Sequence, residues 1–267
     1  MNTAPDATPT VATPGPSSAI ALRTSGLGFK VGAAVIVDDV SIEVPAGEFV
    51  GVIGPNGAGK TSFLNLLSGV IRSTSGTAQF EGVDITRRSV HARARLGISR
   101  TFQTSYLLLG LSVLENVRLM AQAKNVGGLR LLGPVRRTDT TTETARAALD
   151  RVGLADRAET LVGSLSHGDR RKVELAIVLA ADARLVLLDE PMAGVNSEDV
   201  EHLTELIRDL HRESGATFVM VEHHLHVVLG LAHRVAVMHE GKLLAFDSPD
   251  SVMSDPRVQT AYVGEEL

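Results

Sequence analysis

The chain has 267 residues, 44% of them hydrophobic and 21% charged, a balance that supports one large buried core with at most a minor subdomain. A net charge of −5 excludes the global basic field that holds nucleic acid through counterion release. The absence of cysteine excludes disulfides, thiolate metal sites and cysteine nucleophiles, and fits a reducing compartment.

Residues 1–18 are rich in Pro, Thr, Ala and Ser, carry Asp6 and no basic side chain, and read as a disordered tail, without the basic-then-apolar order of a signal peptide. Val35 to Val44 carries strand-forming residues, Pro45-Ala-Gly47 turns the chain, and Phe49 to Ile53 is a short buried strand. Gly54-Pro55-Asn56-Gly57-Ala58-Gly59-Lys60-Thr61 follows at once, and Phe63, Leu64, Leu66 and Leu67 continue as a helix. Strand, glycine-rich loop and helix in this order make a phosphate cradle. Glycines let successive backbone N–H groups curl around phosphate oxygens at a helix N-terminus, where the dipole favours negative charge. Lys60 then neutralises the β- and γ-phosphates and Thr61 ligates Mg²⁺. The motif alone indicates a nucleoside triphosphate.

Farther on, Val126 to Thr142 contains Gly-Gly, Pro and the cluster Arg130, Arg136 and Arg137, and reads as a surface insertion whose basic face is solvated or, as the alternative, meets lipid headgroups or a partner's acidic loop. Leu165-Ser166-His167-Gly168-Asp169 opens a helix whose apolar residues lead to Arg184-Leu-Val-Leu-Leu-Asp189-Glu190, a buried strand ending in adjacent carboxylates. Asp189 can hold Mg²⁺ through water while Glu190, one residue on, polarises an attacking water. Thr217 to His223 is another buried strand, ending in a histidine. His223, His224 and His226 raise the question of a metal site, but no cysteine or cluster from a third element accompanies them. The apolar stretches Leu175 to Ala181 and Leu185 to Leu188 are interrupted by Asp182 and Arg184, so the sequence contains no membrane span.

Taken together, these segments resemble the ATP-binding cassette (ABC) ATPases, from about Ile20 to the C-terminus. Leu165 to Asp169 looks like the family signature LSGGQ, with His167 at the first glycine and Asp169 at the glutamine, while Ser166 and Gly168 are kept. The resemblance implies that this helix terminus faces the γ-phosphate held by a second cassette. Gly97 to Gln103 is similar to the strand and loop carrying the family's Q-loop glutamine, making Gln103 a candidate for switching contacts with metal and water. Pro191 to Asn196 resembles the D-loop, with Asn196 where many members have Asp, and His223 matches the switch histidine. The family stacks adenine on an aromatic ring before the phosphate loop. The aligned position here is Val31, and Phe29, two residues earlier, shares its strand face under simple alternation. Ser62, following Thr61, completes the implied nucleotide contacts.

The fold so implied is α/β: a P-loop cassette with a mixed β core around the phosphate loop and Asp189, a small antiparallel β subdomain near Val35 to Val44 and Thr77 to Phe80, and an α-helical subdomain over about 103–180, all within 19–267. ATP and Mg²⁺ are the implied cofactors. The implied partners are two multi-span membrane permease subunits, a homologous or identical second ATPase and, indirectly, an extracytoplasmic solute-binding protein, with no nucleic acid; the implied location is the cytoplasmic face of the membrane. Thr101-Phe-Gln, the insertion, Glu190-Pro-Met-Ala-Gly and the ending Ala261-Tyr-Val-Gly-Glu-Glu look like branched-chain amino acid importer ATPases. Urea and short-chain amide importers come close behind: Leu165-Ser-His-Gly leans toward them, Asp169 and Asn196 away. Cassettes acting on DNA or ribosomes carry a long coiled coil or two cassettes, neither of which is present. A non-hydrolysing switch would lack Glu190 or Ser166.

Overall fold

The computed structural model describes residues 19–101, 107–125 and 140–262. The tail 1–18, Gln103 with its neighbours, most of the 126–142 insertion and the last five residues lie outside them.

A long hairpin opens the fold. Strands β1 (Ile20–Val31) and β2 (Ala34–Pro45) pair antiparallel across a two-residue turn at Gly32 and Ala33, where Gly32 adopts φ 58°. The remaining elements are β3 (Phe49–Ile53), α1 (Lys60–Ser68), β4 (Ser75–Phe80), β5 (Val83–Asp84), α2 (Val90–Arg95), β6 (Ile98–Arg100), α3 (Val113–Asn125), α4 (Thr140–Arg151), α5 (His167–Ala180), β7 (Leu185–Asp189), α6 (Ser197–Ser214), β8 (Thr217–Val221), α7 (Leu225–Leu231), β9 (Arg234–His239), β10 (Lys242–Asp247), α8 (Pro249–Ser254) and α9 (Pro256–Tyr262).

Two sheets result. A four-stranded antiparallel sheet runs β2-β1-β4-β5, so the expected strands near Val35 and Thr77 belong to one sheet with β1 between them. A six-stranded sheet runs β10-β9-β3-β8-β7-β6, parallel except for β10 at its edge. Every residue of β3, β7 and β8 is buried, as parallel strands covered on both faces require.

Alternation along these strands divides the core into two layers. Phe49, Ile53, Val186, Leu188, Phe218 and Met220 pack toward the helices, with Val173, Leu175 and Ile207 among their neighbours. Val50, Val52, Leu185, Leu187, Val219 and Val221 pack the other way, against Phe63 and Leu64 of α1 and Leu22 and Val37 of the hairpin. Each such side chain contributes about 1.5–3 kcal/mol on burial. The site-bearing edge of the sheet is therefore held from both sides. Helix ends follow local chemistry: Gly69 and Gly215 close α1 and α6 at φ 82° and 62°, and α6 carries Glu198 and Asp199 in its first turn and His211 and Arg212 in its last.

The pairing of β1 with β2 has register shifts on both sides of Phe29. Phe29 is half-buried against the core beneath the hairpin, whereas Val31 is 58% exposed. Phe29 pairs with Val37 and Lys30 with Val35, so the extra residue at this point lies in β2.

Candidate nucleotide site

Strands β3, β8 and β7 are neighbours, and one rung of the sheet contains Val52, Val221 and Asp189. The chain leaves all three strands at the same edge. Residues 54–59 follow β3, Glu190 follows β7, and Glu222 and His223 follow β8, so segments over a hundred residues apart converge. In open α/β sheets, ligands bind at the carboxyl ends of the strands.

The loop from Gly54 to Gly59 depends on glycine for close approach. A Cβ on Gly54, at φ 147°, would lie 2.0 Å from the Met238 carbonyl oxygen, and one on Gly59, at φ 93°, 2.6 Å from that of Ile36. The loop is wedged between β9 and the hairpin and is pinned by the Gly241 N–H donating to the Ala58 carbonyl at 3.1 Å. Lys60, buried, donates through Nζ to the carbonyls of Gly54 (2.5 Å) and Pro55 (2.9 Å), folding its ammonium back over the loop mouth. Thr61 and Ser62 lie half-buried in the first turn of α1.

Opposite the loop, Asp189 is only 1% exposed. Its Oδ2 accepts from Arg100 Nη2 at 2.7 Å, while its Oδ1 has no hydrogen-bond partner among the described residues. Arg100 also donates through Nη1 to Asn65 Oδ1 (2.6 Å) and Ser68 Oγ (2.8 Å), tying β6 to α1 and to the end of β7. A buried carboxylate oxygen without a donor suits a hard cation or its water shell. Among the described residues no group of three or more acidic or imidazole side chains is arranged to hold a metal ion, so a divalent ion here would take its other ligands from phosphate, hydroxyl, amide and water oxygens.

Glu190 follows at φ 48°, a left-handed conformation uncommon for a residue other than glycine. Its N–H donates to the Val221 carbonyl at 2.9 Å, and its Oε1 lies 2.9 Å from His223 Nε2. The Glu190 side chain is mostly enclosed and the imidazole partly open to solvent. The structure thus brings together the loop, Asp189, Glu190 and His223. Gln103 lies outside the described residues; Thr101, two residues before it, accepts from the Asp189 N–H at 3.4 Å.

The segment Leu165 to Asp169 stands apart. Leu165 is buried, Ser166 caps α5 with its hydroxyl accepting from the Asp169 N–H at 3.1 Å, and Asp169 pairs with Arg157. Ser166 and His167 are exposed, so this helix start faces outward. It sits beside the turn after Glu190: Arg171 reaches the Ala193 carbonyl, and a Cβ on Gly194 would lie 3.8 Å from His167 Nδ1.

Two charged residues at the site escaped sequence reasoning. One is Arg100. The other is Glu222, 2% exposed, which accepts from the N–H groups of Met192 (3.3 Å) and His223 (3.1 Å) and from His224 Nδ1 (3.1 Å). Burial pushes its carboxyl above the ordinary range, opposed by these donors. For Glu222 the available signal was a charge directly after a buried strand; Arg100, ending the short Ile98-Ser99-Arg100 strand, carried none.

Among known proteins, residues 37–193 match the family described as ABC transporter. The chain is 34% identical over 250 residues to the high-affinity branched-chain amino acid transport ATP-binding protein LivG of Salmonella typhimurium, covering 91% of this chain and 98% of that one. It is 33% identical, with the same coverage, to BraF of Pseudomonas aeruginosa, which carries the same description. It is 36% identical over 233 residues to the lipopolysaccharide export system ATP-binding protein LptB of Acidithiobacillus ferridurans, covering 87% and 92%. A solved ATP-binding cassette of an ABC transporter in its ADP conformation superposes with TM-score 0.82 at 30% identity, over 92% of this chain and 99% of that one. With a family match across most of the site and relatives spanning nearly the whole chain, this protein belongs to the ABC transporter family, as one of its nucleotide-binding, ATP-hydrolysing cassettes.

Proposed function

We propose that this chain energises the uptake of branched-chain amino acids, working as one of two cassettes against separate membrane-spanning subunits. The observation that carries the hydrolytic part is the meeting of Glu190 and His223, at 2.9 Å, on the strand edge that also presents the phosphate loop and Asp189.

In this reading the N–H groups of residues 54–61 receive the phosphates of ATP, and Lys60 exchanges its carbonyl partners for β- and γ-phosphate oxygens. Thr61, Asp189 and Gln103 would hold Mg²⁺, which supplies charge neutralisation to the phosphates when bound. Glu190 accepts a proton from the attacking water, and His223, bonded to Glu190, reads the presence of the γ-phosphate. Ser166, His167 and Gly168 on the outward-facing start of α5 serve the nucleotide of the partner cassette. A solved bacterial ABC transporter cassette described as dimeric shares this fold at TM-score 0.74 and 23% identity. Adenine stacks against the β1 turn, with half-buried Phe29 and exposed Val31 as the apolar residues there.

Among the described residues no helix is long and apolar enough to cross a membrane, so translocation falls to other subunits, with this chain at the inner face of the membrane. The branched-chain amino acid reading rests on the descriptions of LivG and BraF. A second reading, lipopolysaccharide export, is favoured by the 36% identity to LptB, although that likeness spans less of the chain. Urea uptake, suggested by Leu165-Ser-His-Gly, is a third. Affinity purification from native membranes separates them: multi-span subunits whose assembly hydrolyses ATP faster with leucine support the proposal, whereas stimulation by urea or lipopolysaccharide alone reassigns the cargo.

A further inference from the structure

We propose that Glu222 is a positioning residue that clamps the turn after Glu190 to the base of His223 and thereby holds these two side chains at working distance. The inference rests on the hydrolytic role proposed for them.

The geometry is that of a three-way clasp. Glu222 follows the five buried residues of β8, where an apolar side chain would be expected. One oxygen accepts from the N–H of Met192, two residues beyond Glu190, and from His224 Nδ1; the other accepts from the N–H of His223. Both loops that carry the hydrolytic pair therefore end on one carboxylate. Without it, two backbone donors in a buried setting lose their acceptor, a loss that shifts local structure. The turn from Glu190 to Asn196 is also held from outside itself: the Glu190 N–H donates to the Val221 carbonyl, Arg171 reaches the Ala193 carbonyl at 3.4 Å, and the Met192 side chain is buried in the core. The turn begins at a left-handed residue, so a loosened Met192 lets Glu190 relax away from φ 48°. Burial raises the Glu222 pKa, so the fold holds this carboxylate at a cost, which three converging donors offset.

A glutamine cannot take over the clasp. Its carbonyl serves Met192 or His223, and its amide then points a donor at the other donor. Three proteins are compared: the native chain, Glu222→Gln and Glu222→Ala. Each is assayed for ATP hydrolysis, for binding of a fluorescent ATP analogue, and for backbone hydrogen exchange in the peptides holding Met192 and His223.

The clamp predicts kcat lower by about tenfold to a hundredfold in both variants, since small misplacements of reacting groups cost on that order. It also predicts nucleotide affinity within about twofold of native, because Lys60 and the loop are untouched. Exchange should quicken at Met192 and His223 together. Unchanged kcat, a fall in affinity matching any fall in kcat, or unchanged exchange would overturn the proposal. Should the alanine variant fail to fold, the glutamine variant carries the test alone. A native chain that binds ATP and does not hydrolyse it would instead defeat the hydrolytic reading itself.

Discussion

Breaking the buried pair between Arg100 and Asp189 should cost more than breaking any surface pair in this protein. Both side chains are enclosed, 5% and 1% exposed, and the bond is 2.7 Å. In Arg100→Met, Asp189 becomes a buried carboxylate without its cation, and Asn65 and Ser68 lose the donor that links α1 to β6. Removing one partner of a buried pair costs about 3–5 kcal/mol, against about 0–1 kcal/mol for an exposed pair. At roughly 2–4 °C per kcal/mol for a domain of this size, the melting midpoint falls by roughly 6–20 °C. Arg146 and Glu159, 56% and 77% exposed, supply the control, with Arg146→Met expected to shift the midpoint by at most roughly 4 °C. The double variant Arg100→Met with Asp189→Asn carries no uncompensated charge and should recover much of the loss. Calorimetry on nucleotide-free protein reads all four. If Arg100→Met melts like the control, or if the double variant is no more stable than Arg100→Met, charge compensation at Asp189 is refuted.

Two further outcomes are expected. Lys60→Ala removes a charge-assisted contact worth about 1.5–3 kcal/mol, so ATP affinity should fall by about tenfold to a hundredfold in calorimetric titration; unchanged affinity would deny Lys60 a phosphate. His211 is half-buried against Phe49 and Phe218 with Nε2 on the Gly47 carbonyl, and the loss of solvation lowers its pKa from the ordinary 6.5. The folded chain therefore binds fewer protons there than the unfolded chain, so the contribution of neutral His211 is complete above that value and is lost as pH falls below it. Urea unfolding at about pH 7.5 and about pH 5.5 should show a smaller pH dependence in His211→Gln than in the native chain.

Most of the site was legible because its chemistry is local. Gly54 to Thr61 announces itself by residues that only a phosphate loop needs in that order, and Asp189-Glu190 by two charges where a buried strand should turn. Ser166 was readable as a helix cap with no knowledge of what α5 packs against. Arg100 and Glu222 were not legible in the same way. Their meaning comes from partners 89 and 30 residues distant, Asp189 and Met192, and nothing local says that these strand ends will meet. The register shifts beside Phe29 were also beyond local reading, since they are set by the pairing of β1 with β2. The order of the sheet was equally beyond local reading, since β3 lies between β8 and β9, each over 160 residues away.

The most direct test of the account is ATP hydrolysis by Glu190→Gln alongside its affinity for ATP. The geometry at Glu190 and His223 predicts turnover lower by about 10²–10⁴-fold with nucleotide still bound at near-native affinity and cassettes trapped as a pair. Near-native turnover in that variant would contradict it.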